Sequence, residues 1–212
     1  MADILLDADR LKVLFQLSLI DAPKEKIYDT ITEFASKAIG TPVSLMSMVA
    51  NDYQFFKSEV GLPEPYKSRR QTPFSHSFCR HVVANNKPLI VSDARKNDLV
   101  KNNLAIRDLD VIGYLGIPLT MHDGKPLGSL CVIDSDVRDW TETEIKIMKE
   151  LASIVTQEFD ARAYVLSNKI SKEDLSDLQQ RIQKFLAIID LSDSKAAILE
   201  VILHQKQNFS LN

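Results

Sequence analysis

The stretch that decides the fold is G-Y-L-G-I-P-L-T-M-H-D-G-K-P-L-G-S-L-C-V-I-D at residues 113–134. Two apolar runs, 113–120 and 126–134, stand on either side of the polar sequence H-D-G-K at 122–125. An Asp-Gly pair supplies the positive φ angle that a tight turn requires, and such a turn joins neighbouring antiparallel strands. The stretch therefore predicts a β-hairpin.

The chain before this hairpin contains further strand-like segments. Along residues 43–50 the side chains fall into two alternating sets, as they do on the two faces of a strand, and a new strand-like run begins at Tyr53. Together the two runs predict another hairpin. A short strand is expected at 88–92. The intervening residues 61–73 are rich in proline and charge, have no periodicity and are interpreted as a loop. Apolar residues spaced by four predict a helix that begins at Phe74.

Helical patterns occupy both ends of the chain. Apolar residues recur at helical spacing along 11–17 and 27–38. The sequence T-E-T-E at 141–144 is a capping box, and it begins a long helix that runs to Leu166. This helix carries two apolar seams where a surface helix needs one, so we expect one seam to cover the sheet and the other to face a partner. A heptad-spaced stripe follows a further cap at Ser171.

Composition limits the classes of function. The 212 residues, 45% of them hydrophobic, suffice for one sizeable core with extra helices. The 26 basic and 29 acidic residues give a net charge of -3 and are spread along the chain, so no nucleic-acid partner is expected. No apolar run reaches the roughly 20 residues that cross a bilayer, and the first residues are acidic, so we expect a cytoplasmic protein without a membrane partner. The two cysteines, Cys79 and Cys131, are expected to be buried, reduced thiols.

Several short motifs follow one another in a specific order. They are I-Y-D-T-I-T-E-F-A at 27–35, P-V-S-L-M-S-M-V at 42–49, Q-F-F-K-S-E-V-G-L at 54–62, S-H-S-F-C-R-H-V-V at 75–83, P-L-I-V-S-D-A-R at 88–95, Y-L-G-I-P-L at 114–119, D-G-K-P-L-G-S-L-C-V-I-D at 123–134 and R-D-W-T at 138–141. From about Leu14 to Arg162, the chain resembles the GAF domains of bacterial signalling proteins.

The resemblance implies an α+β fold with a six-stranded antiparallel sheet, helices on both faces and a small-molecule pocket under a long loop. It also implies terminal helices that pair two copies into a homodimer. We divide the chain into an N-terminal helix at 1–22, a GAF-like sensory domain at 23–166 and a C-terminal helical extension at 167–212. The expected partners are an unidentified small-molecule ligand, a second copy and a signalling output protein such as a kinase, cyclase or phosphatase. The identity of any cofactor stays open.

The polar, irregular connection at residues 93–112 is the candidate ligand lid, because long ordered connections tend to carry function. The candidate pocket residues lie in this connection or beside it. They are His76, Cys79, Asp93, Arg95, Asn103, Arg107 and Tyr114. None is assigned to catalysis, and none to a metal, because His76 and His81 are five residues apart on the expected helix and point in different directions.

Two kinds of alternative follow from the cysteines and the helices. Bilin-binding relatives carry a histidine after the chromophore cysteine, whereas Arg80 follows Cys79 here. Free methionine sulfoxide reductases of the GAF fold use a thiolate and resolving cysteines, and Cys79 is similar in position to one of theirs. Cys131 lies in an expected strand, so no partner thiol is expected. A non-enzymatic sensory module is the main interpretation. A thiol-dependent reductase and a dimerisation scaffold with a vestigial pocket are the alternatives.

Overall fold

A computed structural model describes residues 4–205 of the chain, so residues 1–3 and 206–212 of the two terminal segments lie outside the described residues. The centre is a six-stranded sheet with the order β3-β2-β1-β6-β5-β4, in which every neighbouring pair is antiparallel. The strands are β1 Val43–Val49, β2 Tyr53–Val60, β3 Gln71–Pro73, β4 Leu89–Val91, β5 Gly113–Thr120 and β6 Pro126–Asp134. The α-helices are α1 Ala8–Gln16, α2 Lys26–Ile39, α3 Tyr66–Arg69, α4 Cys79–Asn85, α5 Ala105–Asp108, α6 Glu142–Leu166, α7 Lys172–Ile188 and α8 Lys195–Gln205.

The sheet is covered on both faces, which explains why its strands are apolar at nearly every position. Successive side chains of a strand point to opposite faces. Along β6, Leu130 and Val132 join the core under α2 and α6, whereas Cys131 and Ile133 join a second core under α4. The β5–β6 turn is closed by Gly124 at φ +88. The predicted α+β architecture and the hairpin at 113–134 are confirmed.

The interpretation of residues 61–73 as a loop is wrong. This segment contains α3 and the three-residue edge strand β3, in which Thr72 pairs with Gln54 of β2. The expected helix start at Phe74 is also wrong, since α4 begins at Cys79. The cause is Ser77, whose extended backbone interrupts the helix while its hydroxyl accepts from the Arg80 amide at 3.1 Å. Pairing across the sheet and one side-chain cap outweigh the local apolar spacing.

The C-terminal helices lie against the rest of the molecule. Asn168, at φ +55, forms the turn that follows α6, and α7 then packs against α6 and α2 while α8 packs on α6. Leu178, Ile182, Ile198 and Ile202 of these helices are buried in the same core as α6. The prediction that the second seam of α6 is open to a partner is therefore wrong, because the chain covers this seam itself.

A buried polar cluster ties α2, α6 and α7 together. The Glu158 carboxylate is fully buried and accepts from Tyr28 Oη, Arg162 Nε and Gln179 Nε2, each at 2.6 Å. Arg162 also pairs with Glu25 at the start of α2. Since a buried carboxylate is tolerated only when its oxygens are hydrogen-bonded, these contacts fix the relative positions of the three helices.

The capping carboxylate of α6 should make folding sensitive to acid. Burial alone would raise the pKa of Glu144, but hydrogen bonds from Lys195, the Thr141 amide and Arg138 lower this pKa to about 2. A lowered carboxyl pKa stabilises the fold above the ordinary value, and this contribution is lost as the pH falls from 4.5 towards 2. In urea titrations at about pH 7 and about pH 3, Glu144→Gln should therefore lose less stability on acidification than the wild type.

The exposed Glu142 on the same helical turn provides the matched control, and Glu142→Gln should lose as much stability on acidification as the wild type. An acid-induced loss in Glu144→Gln that equals the wild-type loss would contradict the role given to the cap.

Candidate functional site

A cavity of about 250 Å³ lies between the sheet, α4 and the segment around α5. Its walls are mainly apolar, as expected for small-molecule sites, and a few polar side chains reach it. The lining residues are Val43, Leu45, Gln54, Phe56, Gly61, Leu62, Pro63, His76, Phe78, Cys79, Ala105, Leu109, Asp110, Val111, Tyr114 and Ile133. Residues 105–111 therefore form the roof and the four central strands form the floor.

The structure brings only some of the candidate site residues to the cavity. His76, Cys79 and Tyr114 line it. Asp93 and Arg95 do not, because they pair with each other: Arg95 Nε donates to Asp93 Oδ1 at 2.8 Å and Arg95 Nη2 to Oδ2 at 3.0 Å. The Arg95 guanidinium lowers the pKa of Asp93 to about 2.

Asn103 and Arg107 also lie outside the lining of this cavity. Asn103 Nδ2 donates to the Ser77 carbonyl at 3.2 Å, and its Oδ1 accepts from the Ala105 amide, so this side chain anchors the start of α5 to the segment before α4. The Arg107 side chain is 74% exposed and pairs with the adjacent Asp108 at 2.6 Å. Both residues shape the roof and do not face its interior.

His76 lies at the cavity with both ring nitrogens engaged. Nδ1 is 3.0 Å from the Ser75 hydroxyl and Nε2 is 3.0 Å from Asp108 Oδ2. Arg107 first, and then His76, lower the pKa of Asp108 to about 2, so this group is a carboxylate that accepts only. His76 Nε2 is therefore the donor to Asp108. This contact holds α5 against the residues before α4. The imidazole ring therefore lines the cavity without offering it a free nitrogen.

Among the polar residues of the cavity wall, sequence reasoning missed Gln54 and Asp110. Gln54 Oε1 accepts from Ser47 Oγ at 3.0 Å and Ser77 Oγ at 2.6 Å, while Nε2 donates to Thr72 at 2.7 Å. A polar side chain on the same strand face as Phe56 was the available signal. Asp110 is exposed and has φ +51, and nothing in the spacing of its neighbours identifies it as a lining residue.

The floor of the cavity holds a buried cluster of two thiols and a phenol. Cys79 Sγ lies 3.2 Å from Tyr114 Oη and 3.8 Å from Cys131 Sγ. A side chain at Gly116 would put its Cβ 2.3 Å from Tyr114 Oη, so glycine at this position makes room for the hydroxyl. The expectation that Cys79 has no partner thiol is wrong, because α4 crosses the sheet directly over Cys131.

The two thiols have different electrostatic surroundings. The hydrogen bond from Cys131 lowers the pKa of Cys79, and hydrogen bonds from Tyr114, Ser47 and Ser129 act in the same direction against burial. Burial raises the pKa of Cys131 well above its ordinary value, and the Cys79 thiol adds to this shift. These two shifts favour Cys79 over Cys131 as the thiolate, and Cys79 is the one of the two that lines the cavity.

Neither a metal cluster nor a membrane-spanning helix occurs in the part of the chain that the structure describes. Within residues 4–205, no three or more His, Cys, Asp or Glu side chains come close enough together to hold a metal ion. None of the helices described there is both long enough and apolar enough to cross a membrane.

Known proteins are similar to this chain in sequence and in fold. The GAF domain family model matches residues 23–159. A cyclic di-GMP phosphodiesterase from Pseudomonas aeruginosa is 28% identical over 170 residues, which are 79% of this chain and 27% of that protein. The chain thus spans about a quarter of the length of this curated relative.

Two solved structures illustrate the fold. The GAF domain of an Acinetobacter phosphoenolpyruvate-protein phosphotransferase has a TM-score of 0.54 and 16% identity, covering 79% of this chain and 99% of that one. The free methionine-R-sulfoxide reductase of Neisseria meningitidis, in complex with its substrate, has a TM-score of 0.54 and 17% identity. This match covers 72% of this chain and 89% of that one. At these identities the likeness concerns the fold alone. With its six-stranded sheet and a family match over more than half of its length, the chain belongs to the GAF domain family.

Proposed function

We propose that this chain is a non-enzymatic sensory module that binds a small molecule in the cavity under α5 and relays occupancy to a signalling output protein. The observation that carries the proposal is the cavity itself. It measures about 250 Å³, has mainly apolar walls and lies under residues 105–111. A preformed pocket with a few polar groups is the usual form of a ligand site.

The free polar groups define the ligand class. Gln54 and His76 are already fully engaged in the hydrogen bonds described above, so they shape the wall and offer no open donor. The Tyr114 hydroxyl at the floor already contacts Cys79 Sγ, so the Asp110 carboxylate at the rim is the group left to meet a ligand. A compact, mainly apolar molecule with a donor group for Asp110 fits this arrangement, because ligand sites combine apolar walls with a few polar groups that orient the ligand.

The relay would run through the roof and the sheet to the helices. The roof is fixed by the His76–Asp108 contact, and the floor strands β5 and β6 carry α6 on their opposite face. The Glu158 cluster then links α6 to α2 and α7. We propose a kinase, cyclase or phosphatase as the output protein. The phosphodiesterase relative supports a nucleotide-signalling pathway as the setting.

A homodimer through the terminal helices remains part of this proposal, with a smaller surface than the sequence indicated. The buried seam of α6 is not available to a second copy. The open apolar side chains of the terminal helices instead include Phe15, Leu166, Ile188 and Leu203, which are 58%, 60%, 74% and 48% exposed. The proposal as a whole is tested by binding of small aromatic fragments and by filling the cavity through Ala105→Phe.

One observation favours a second function, that of a thiol-dependent methionine sulfoxide reductase: the Cys79 and Cys131 sulfurs lie 3.8 Å apart at the cavity floor. The sensory proposal expects a different result. Turnover of free methionine-R-sulfoxide coupled to thioredoxin should stay at the level of the reagent control for the wild type and for Cys79→Ser alike. Thioredoxin-dependent turnover by the wild type that Cys79→Ser removes would establish the reductase instead.

A further inference from the structure

We propose that Cys79 and Cys131 form a disulfide reversibly when a hydroperoxide enters the cavity, so that the floor of the pocket is also an oxidation site. The inference goes beyond ligand binding and does not depend on it. It rests on the placement of the chain's two cysteines, 52 residues apart in sequence, with their sulfurs 3.8 Å apart in the fold.

The two sulfurs need only a small movement to bond. A disulfide has an S–S distance of about 2.05 Å, so the thiols must approach by roughly 1.8 Å. Cys131 is fixed in the middle of β6, where its backbone pairs with Leu45 on one side and Gly116 on the other. Cys79 is the first residue of the seven-residue helix α4, next to the break at Ser77. Cys79 is therefore the residue that moves when the two sulfurs approach each other.

Access to solvent differs between the thiols and sets their roles. Cys79 lines the cavity, whereas Cys131 has no exposed surface and lies behind it. A hydroperoxide is small enough for a cavity of about 250 Å³ and meets Cys79 first. The Tyr114 hydroxyl, 3.2 Å from Cys79 Sγ, can donate to a Cys79 thiolate. Thiolate character and accessibility together determine which cysteine is oxidised.

One peroxide molecule oxidises one pair of thiols to one disulfide. The Cys79 thiolate attacks a peroxide oxygen, the O–O bond breaks, and the leaving oxygen takes a proton and departs as water or alcohol. Cys79 is then a sulfenic acid. The Cys131 sulfur attacks the Cys79 sulfur, the S–O bond breaks, and the hydroxide leaves as water with the Cys131 thiol proton. Two thiols lose two electrons to the peroxide, and an external dithiol returns them.

The bond would alter the pocket. It removes the thiol of Cys79 that contacts Tyr114 Oη and joins α4 covalently to β6, the strand that also contributes Ile133 to the cavity wall. The same site would then respond both to a ligand and to peroxide.

The test is intact-protein mass spectrometry on the folded full chain. The reduced protein is treated with a small excess of hydrogen peroxide, unfolded, and alkylated with N-ethylmaleimide. We expect a monomer that has lost two hydrogens and takes no maleimide, and treatment with dithiothreitol should restore both alkylation sites. In Cys131→Ser, dimedone should trap one sulfenic acid, and in Cys79→Ser the remaining thiol should survive the same peroxide dose.

A comparison of folded and unfolded wild-type protein tests the proposal without any variant. The disulfide should form at least about tenfold faster in the folded wild type than in guanidinium-unfolded protein, because the fold holds the thiols together. The proposal is overturned if the folded wild type keeps both thiols, if Cys79 is driven to sulfinic acid with Cys131 still free, if the disulfide joins two chains, or if the unfolded protein reacts as fast.

Discussion

Phe159→Glu should abolish the cooperative folding of this protein. Phe159 is fully buried on α6, and its ring packs edge-on against Tyr28 with centroids 6.0 Å apart. Loss of a buried phenylalanine costs about 3–5 kcal/mol, and an unpaired buried carboxylate adds several more. Because a domain is stable by only about 5–15 kcal/mol, circular dichroism at 25 °C should show no cooperative urea transition or one shifted to very low urea.

The same helix supplies the matched control. Lys149 is exposed on α6 and lies outside the proposed dimer surface, and Lys149→Glu should change the free energy of unfolding by no more than about 0.5 kcal/mol. If Phe159→Glu instead gave a folded monomer while the wild type was a dimer, the packing of α7 and α8 over the seam would be incorrect.

The second large effect is expected at the buried carboxylate. Glu158→Ala leaves the Arg162 guanidinium, the Tyr28 hydroxyl and the Gln179 amide without their shared acceptor. Removing one partner of a buried ion pair costs about 3–5 kcal/mol, and we expect a loss of that size in urea denaturation.

The ion pair between Asp177 and Arg181 on α7 is the comparison, since these side chains are 67% and 40% exposed. Asp177→Ala should cost no more than about 1 kcal/mol. Equal losses in Glu158→Ala and Asp177→Ala would show that the Glu158 cluster does not hold the three helices. Hydrogen exchange should also show α7 losing protection in Glu158→Ala before the sheet does.

The sequence was sufficient for the fold wherever local signals and tertiary packing agree. The alternation in β1, the apolar runs of β5 and β6, the Asp-Gly turn and the capping box at Thr141 are local signals that agree with the packing, and the structure contains all of them. The edge strand β3 was missed because its three residues are ordered by pairing with β2, which leaves no periodicity in the sequence.

The site was less predictable because its residues depend on contacts far apart in the chain. Polar residues of the long connection looked available for a ligand, yet Asp93 and Arg95 pair with each other within two residues. The apolar roof residues Ala105 and Val111 were not selected, although they line the cavity. The approach of Cys131 to Cys79 depends on how α4 crosses the sheet, which local spacing does not encode.

The Ala105 side chain points into the cavity from α5, so a larger residue there occupies the space of a ligand. Arg95 lies outside the cavity with its side chain 57% exposed, which makes Arg95→Ala a control drawn from the same connection. Circular dichroism and thermal unfolding first establish that both variants are folded. Leu109→Trp, which fills the cavity from the other end of the same segment, repeats the test should Ala105→Phe not fold.

The most direct test of the central claim is binding of a library of small aromatic fragments, measured by saturation-transfer NMR on the wild type, Ala105→Phe and Arg95→Ala. Good fragments gain up to about 1.5 kcal/mol per heavy atom in an enclosed site, so fragments that fit the cavity should bind measurably. We expect wild-type fragments whose affinity falls at least about tenfold in the cavity-filling variant and is unchanged in Arg95→Ala. A wild type that binds none of the fragments, or fragments that bind the cavity-filling variant equally well, would contradict the sensory function.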